Sequence, residues 1–269
     1  MVALGAVQGA TEFLPVSSSG HLAVGQILLG RVADGSAGPS LLFEVLLHLA
    51  TLLAVLVVYR RDVLELVRGA GRAVAALFRG GCGRAVAGDA GVNLALCVFV
   101  GSLPTAVVGL LLRHPAGVMV TSPAGLGLAF LAVAALLLAS RGWPGGSRPL
   151  DWKAALIIGA VQGVAVLPGV SRSGVTIATA LALGLDRAEA ARFSFLLAIP
   201  AIIGAAALEI DPGALAEQGR ALPFALGALT AFAVGLGALL LLIRLVRGGR
   251  LWIFAPYVAA MGFFSLFWL

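Results

Sequence analysis

Charge is scarce in this chain. Asp, Glu, Lys and Arg make up 11% of its 269 residues against 61% hydrophobic ones, and the mean hydropathy is +1.08. That balance excludes a soluble globular domain, which has no way to cover so much apolar surface. Cysteine is almost missing as well. Cys82 and Cys97 match no paired metal-ligand spacing and read as unpaired and structural or incidental. Lys153 is the one lysine among 18 basic residues, so the net charge of +6 rests on arginine. In a soluble protein a pI of 10.6 would suggest nucleic acid. Here the arginines fall between hydrophobic segments, as the positive-inside rule requires, so membrane lipids and not nucleic acid are the expected surroundings. The first residues lack a basic stretch ahead of their apolar run, which speaks against a cleavable signal peptide.

The length fits one membrane domain of roughly six spans, at about 20 residues per span plus loops. Residues 1–30 are apolar but interrupted by Pro15 and a serine run, and each half is too short to cross a bilayer. They read as a re-entrant hairpin of two half-helices, which is tolerated at membrane depth only where protein buries it or a wet cavity borders it. A surface loop is expected at 31–40, a full span at 41–59, an interfacial helix near 63–78 and a second span at 92–112. After a loop at 114–122 comes a third span at 123–139, then a polar linker at 140–153. Residues 154–184 form a second hairpin, broken at Pro168-Gly169. A charged link at 186–192 precedes the remaining spans, 193–208, 222–243 and 251–268.

Lys and Arg number six, three, two and three in segments 60–91, 140–153, 186–192 and 244–250, whereas the opposite side carries only Arg31, Arg113 and Arg220. The basic side is therefore expected to be cytoplasmic, with the first hairpin entering from the outer face and the second from the cytoplasm. The two hairpins are also one sequence unit used twice. Gly5-Ala-Val-Gln-Gly9 recurs as Gly159-Ala-Val-Gln-Gly163 at an offset of 154, and Ser17, Ser19 and Gly20 fall on Ser171, Ser173 and Gly174. Phe43-Glu-Val-Leu-Leu47 similarly echoes Phe193-Ser-Phe-Leu-Leu197. A hairpin plus three spans is an odd number of crossings. Repeat one (1–139) and repeat two (154–269) should therefore be inverted, in an all-α membrane fold whose ligand sites lie at the helix breaks.

The copies differ where chemistry would be placed: Glu12 against Val166, Ser18 against Arg172, His21 against Val175. A half-helix ending inside the membrane offers free N–H groups and a positive dipole end. With small residues such as Gly20, Gly169 and Gly174 this makes an anion site, suited above all to phosphate. Arg172 adds a planar cationic fork amid the hydroxyls of Ser171, Ser173 and Thr176. The plain alternative for it is an arginine snorkelling to the interface. Glu12 and Gln8 share a helical face and are candidate ligands for Mg²⁺ or Ca²⁺, the plain alternative being a buried protonated or hydrogen-bonded acid at Glu12 and a merely structural Gln8. Ser17, Ser18 and Ser19 taken singly would be packing and capping residues. Ser18 and His21, three residues apart, can face one cavity. With Glu12 they would supply a nucleophile, a proton carrier and charge neutralisation for phosphoryl transfer. Glu44 and His48 also share a face and read as a structural pair, with support of the site from behind as the other option.

Gln-Gly-x-Thr-Glu-Phe-Leu-Pro-Val-Ser-Ser-Ser-Gly-His (8–21) and Leu-Pro-Gly-Val-Ser-Arg-Ser-Gly-x-Thr-Ile (167–177) resemble the two signatures of the undecaprenyl pyrophosphate phosphatases of the bacitracin-resistance type. Phe43-Glu-Val-x-Leu-His48 and the repeat extend the resemblance over the chain. It implies hydrolysis of a C55 polyprenyl diphosphate to the monophosphate at the outer face of a bacterial inner membrane, which recycles the lipid carrier for cell-wall synthesis. It also implies a divalent cation, and leaves open whether serine or histidine attacks phosphorus. By motif position it makes Glu12, Ser18, His21 and Arg172 catalytic, and Ser17, Ser19, Gly169, Ser171, Ser173 and Thr176 substrate-binding. The family writes Glu or Gln at the position of Gln8, so this chain lacks a second metal carboxylate there. A transporter or flippase for an anionic lipid is the rival reading of the repeat. It has to explain why acid, serine and imidazole occur together in only one copy. Oligomeric state stays open, a homodimer being compatible.

Overall fold

The protein, seen here as a computed structural model, is described at residues 1–29, 41–78, 88–209 and 221–269. The expected loop at 31–40 and Cys82 lie outside these. Among the described residues the regular elements are helices: α1 (Val2–Phe13), α2 (Ser18–Leu28), α3 (Leu41–Val58), α4 (Arg60–Phe78), α5 (Ala90–Met119), α6 (Pro123–Ala139), α7 (Trp152–Val164), α8 (Arg172–Ala182), α9 (Arg187–Glu209), α10 (Ala221–Arg247) and α11 (Ala255–Trp268). Among the described residues five helical stretches are long and apolar enough to cross a membrane, or six if α3 and α4, joined at a bend of 89°, count as one.

Both hairpins break where local chemistry demands. Leu14 is extended (φ −62°, ψ 145°) ahead of Pro15, whose ring disfavours helical geometry in the preceding residue. The chain restarts at Ser17, whose Oγ accepts from the Gly20 N–H at 3.2 Å as an N-cap. In the second hairpin Gly169 turns the chain at φ +88°, and Ser171 Oγ accepts from the Gly174 N–H, again at 3.2 Å. The matching serines thus do one structural job twice.

Several expected boundaries move. The loop expected at 114–122 is largely helix, because α5 runs on through Pro115 to Met119. An apolar segment that left the helix there would expose unpaired backbone groups, which is costlier than one lost proline N–H. The charged link at 186–192 is the opening of α9. Asp186 accepts from the Ala188 and Glu189 N–H groups and starts that helix six residues early. Arg244 and Arg247 belong to the last turn of α10. The interfacial helix begins at Arg60. It docks through Gly69 on Gly91, and its Asp62 meets Arg192 at 2.6 Å.

Each first half-helix lies against a long helix from the other half of the chain. In α1, Gly5 meets the backbone of Gly227 and Gly9 that of Ala231 in α10. In α7, Gly159 meets the backbone of Gly101 and Gly163 that of Thr105 in α5. A Cβ at any of these glycines would overlap backbone atoms. Close crossings of this kind replace the hydrophobic driving force that lipid removes. α6 and α11 pack likewise around Gly127 and Gly262. The hairpin tips then touch at the centre, since a Cβ on Gly20 would come within 2.8 Å of Gly169 Cα and one on Gly174 within 3.1 Å of Pro15 Cβ.

Candidate active site

Where the tips meet, the two halves exchange a charge contact. Arg172 Nη2, at the first residue of α8, lies 2.7 Å from Glu12 Oε1 near the end of α1. Both side chains are largely withdrawn from solvent, at 17% and 7% exposure. Glu12 Oε2 accepts from Ser18 Oγ at 2.9 Å and from Gln8 Nε2 at 3.0 Å. The carboxylate is thus fixed by a guanidinium, a hydroxyl and an amide, with His48 Nε2 standing 3.8 Å from the same Oε2. Buried charge persists only when paired and hydrogen-bonded in this way.

A cavity of about 550 Å³ opens on this cluster. Glu12, Ser17, Ser18, Ser19, Ser171 and Arg172 all border it, so both copies of the motif contribute. Its lining also includes apolar side chains, Leu110 of α5 and Pro200, Ile202 and Leu208 of α9. A polar end that binds anions and a greasy flank suit an amphiphile with a charged head. The N-termini of α2 and α8 lie at the polar end and add their positive dipole ends.

Other expected site residues sit behind this surface. Gly169 forms the turn. Ser173 is 2% exposed and Thr176 fully buried. Ser173 Oγ lies 3.3 Å from Ser171 Oγ, and Thr176 Oγ1 is hydrogen-bonded to Arg172 O and Ser194 Oγ. They hold the Arg172 loop in place. His21 is not on the cavity wall, although its spacing from Ser18 made a shared cavity the expectation. Its Nδ1 lies 2.7 Å from Ser17 O and its Nε2 2.6 Å from Tyr257 Oη, with the two rings stacked at 5.7 Å and Phe130 edge-on. The strained backbone of Ser17 (φ +68°) turns α2 so that Ser18 faces inward while His21 faces α11. His48, read from sequence as half of a structural pair, is the imidazole that reaches the cavity. Tyr257 and the cavity-lining Arg113 had no signal beyond residue type.

For a divalent cation the cluster offers few protein donors. Glu12 supplies one carboxylate and Ser18 a hydroxyl oxygen, while Gln8 turns its amide nitrogen to Glu12. No group of three or more His, Cys, Asp or Glu gathers among the described residues. This fits an ion that takes one carboxylate and completes its shell with phosphate oxygens and water, as Mg²⁺ does, and not an all-protein cage.

Comparison with known proteins decides the lineage. The family model described as bacitracin resistance protein BacA matches residues 1–264. This chain is a BacA-family protein. Its similar relatives include proteins named undecaprenyl-diphosphatase from Desulfosudis oleivorans (47% identity over 97% of this chain and 94% of the relative), Rubrobacter xylanophilus (43%, over 97% and 94%) and Korarchaeum cryptofilum (41%, over 96% and 94%). Glu12, Ser18 and Arg172, singled out from the two motifs, are brought together by the fold.

Proposed function

We propose that this BacA-family protein hydrolyses undecaprenyl diphosphate to undecaprenyl phosphate and inorganic phosphate, with the diphosphate at the Glu12–Arg172 cluster and the polyprenyl chain along the apolar lining. The observation that carries the reading is the Arg172–Glu12 pair joining the two motifs at the polar end of the cavity. The relatives' shared name supports it.

Chemically, phosphoryl transfer needs charge placed in advance around the transferring group more than covalent help. Arg172 presents a fork to phosphate oxygens and is held at depth by Glu12. The N-terminus of α8, capped by Ser171, points its free N–H groups the same way. A divalent cation, if bound, would sit on Glu12 and Ser18 and would neutralise the diphosphate. Ser18 directs its hydrogen to Glu12, which leaves its oxygen lone pairs available to a bound phosphate or cation. Its expected partnership with His21 is not assembled, since that imidazole bonds Tyr257.

The further proposals concern placement. The matching glycine crossings of α1 on α10 and α7 on α5 support two repeats, 1–139 and 154–269, of opposite topology. The arginine distribution supports a bacterial inner-membrane protein whose cavity faces the outer side, where carrier lipid returns after cell-wall synthesis. Membership of a family described by bacitracin resistance supports that phenotype for this chain.

The test is phosphate release from undecaprenyl diphosphate in detergent, with and without EDTA. Wild type releases phosphate, and EDTA suppresses it if the cation proposal holds. Glu12→Gln and Arg172→Ala should each lose about 100-fold or more, the scale of removing one charge-stabilising group from an active site. Saturable lipid binding by wild type without phosphate release would transfer the reading to a lipid transporter.

A further inference from the structure

The charges on the cavity leave one residue unaccounted for. Of the Asp, Glu, Lys and Arg side chains among the described residues, three line it: Glu12, Arg172 and Arg113. Glu12 and Arg172 lie 2.7 Å apart and offset each other. A lipid diphosphate is a multiple anion, so the surplus positive charge that draws it into the cavity falls to Arg113. That side chain is exposed and meets no hydrogen-bonding or charged partner among the described residues.

Its place on α5 fits the role. Ser102, Thr105, Ala106, Gly109, Leu110 and Arg113 all line the cavity, and their spacing of three and four makes them one face of the helix. The inner part of this face is tied to the second hairpin, since Thr105 Oγ1 donates to Gly159 O at 2.8 Å. Arg113 lies eight residues further along, about 12 Å at the helical rise. A helical side chain leans toward the N-terminus of its helix, over the residue one turn before it. For Arg113 that residue is Gly109, where an added Cβ would find its nearest neighbour, Gly163 O, only at 4.0 Å. The guanidinium thus has open room over Gly109 to lean back into the cavity. α5 leaves the basic segment at 60–91, so in the proposed orientation its Arg113 end is the outer one. Leu208, near the end of α9, gives the lining its apolar character on that side.

We propose that Arg113 is a second phosphate-binding residue of this cavity, holding the phosphate next to the lipid while Arg172 holds the terminal one. The inference rests on the diphosphatase reading and goes beyond it by dividing the two phosphates between two arginines. With the terminal phosphate at the hairpin tips, the other phosphate follows the lipid toward the outer mouth, the side from which Arg113 reaches. The phosphate that Arg113 holds is the one that stays on the product, so it binds substrate and lipid product alike. Arg113 is therefore a residue of capture and affinity, and the bond-breaking step does not pass through it.

The experiment measures phosphate release from undecaprenyl diphosphate in detergent by wild type, Arg113→Gln and Arg113→Lys. Melting temperature and gel filtration check folding, and Arg113→Ala replaces the glutamine variant if that one does not fold. Arg113→Gln should raise KM about 10-fold, the low end for a charge-assisted bond because the side chain is exposed. It should leave kcat within about twofold, since a contact made equally in the ground and transition states costs binding and not rate. Arg113→Lys keeps the charge and should return KM to within about threefold of wild type. Product inhibition then locates the contact. Undecaprenyl phosphate should inhibit Arg113→Gln about 10-fold more weakly than wild type, whereas inorganic phosphate, which competes at Arg172, should inhibit both alike. An unchanged KM would make Arg113 an arginine snorkelling to the interface and overturn the proposal. So would a loss confined to kcat, or equal weakening of inhibition by the two phosphates. A wild type that releases no phosphate would instead strike the functional reading. Direct binding of undecaprenyl phosphate to wild type and Arg113→Gln would then still test the contact, equal affinities removing it.

Discussion

At the scale of single residues, the site is a study in one carboxylate with many claims on it. Glu12 bonds Arg172, Ser18 and Gln8 and stands beside His48. Its counterpart Val166 has none of this, and the equivalent glutamine shows the difference. Gln162 Nε2 donates to Thr105 Oγ1 and Leu197 O, while its buried Oε1 finds no partner among the described residues. The same residue type thus orients an acid in one copy and ties neighbouring helices in the other. Tyr257 belongs to this scale too. Tyr257→Phe removes the hydrogen bond to His21 but keeps the stacked ring, so it should lower stability by about 1 kcal/mol, the usual net worth of one such bond. The melting temperature of purified protein checks this, and an unchanged value would mean that the bond contributes nothing net.

At the scale of elements, the glycine crossings dominate. Gly159→Val would force a branched side chain into the backbone of Gly101, separating α7 from α5 and breaking the bond from Thr105 Oγ1 to Gly159 O at 2.8 Å. Overpacking of this sort costs about 1–3 kcal/mol and more where backbone must move. Thermal denaturation should show the loss in Gly159→Val and in its counterpart Gly5→Val, while Gly25→Val, with open space around it, serves as the mild control. The linker offers a pH test. The hydrogen bond from Arg148, then that from the Ala154 N–H, holds the Asp151 carboxyl below its ordinary value. A lowered folded-state value means a contribution fully present above the unfolded carboxylate range and lost as pH falls through the folded value. Acid titration of Asp151→Asn should therefore converge on wild type at low pH and fall below it near neutrality.

At the scale of the whole molecule, the prediction is topological. Single cysteines placed at Ser147 in the linker and at Ser122, between α5 and α6, in a chain whose own cysteines are replaced, should label from opposite sides of the membrane, Ser147 from the cytoplasm. Labelling of both from one side would refute the proposed orientation.

Much of this was legible in the sequence because it depends on composition and period. Scarce charge and long apolar runs determined an all-helical membrane protein, Pro15 and Gly169 the two breaks, and the repeated motif the division of chemical groups between two hairpins, while the pairing of Glu12 with Arg172 across 160 positions came only with the fold. The boundaries that moved did so for local reasons invisible to hydropathy. Asp186 caps a helix whose first turns are charged, and Pro115 is carried through by an apolar environment. Which imidazole lines the cavity was not legible. Spacing places His21 within reach of Ser18, but the positive φ of Ser17 and the packing of α2 beside α11 turn it toward Tyr257. His48 reaches Glu12 only because α3 lies beside α1, a contact between residues 36 positions apart in different elements. Sequence by itself determined which chemical groups are present and where the chain breaks. The tertiary structure alone decided which of them meet, because direction in a helix is set by packing neighbours that no single segment contains.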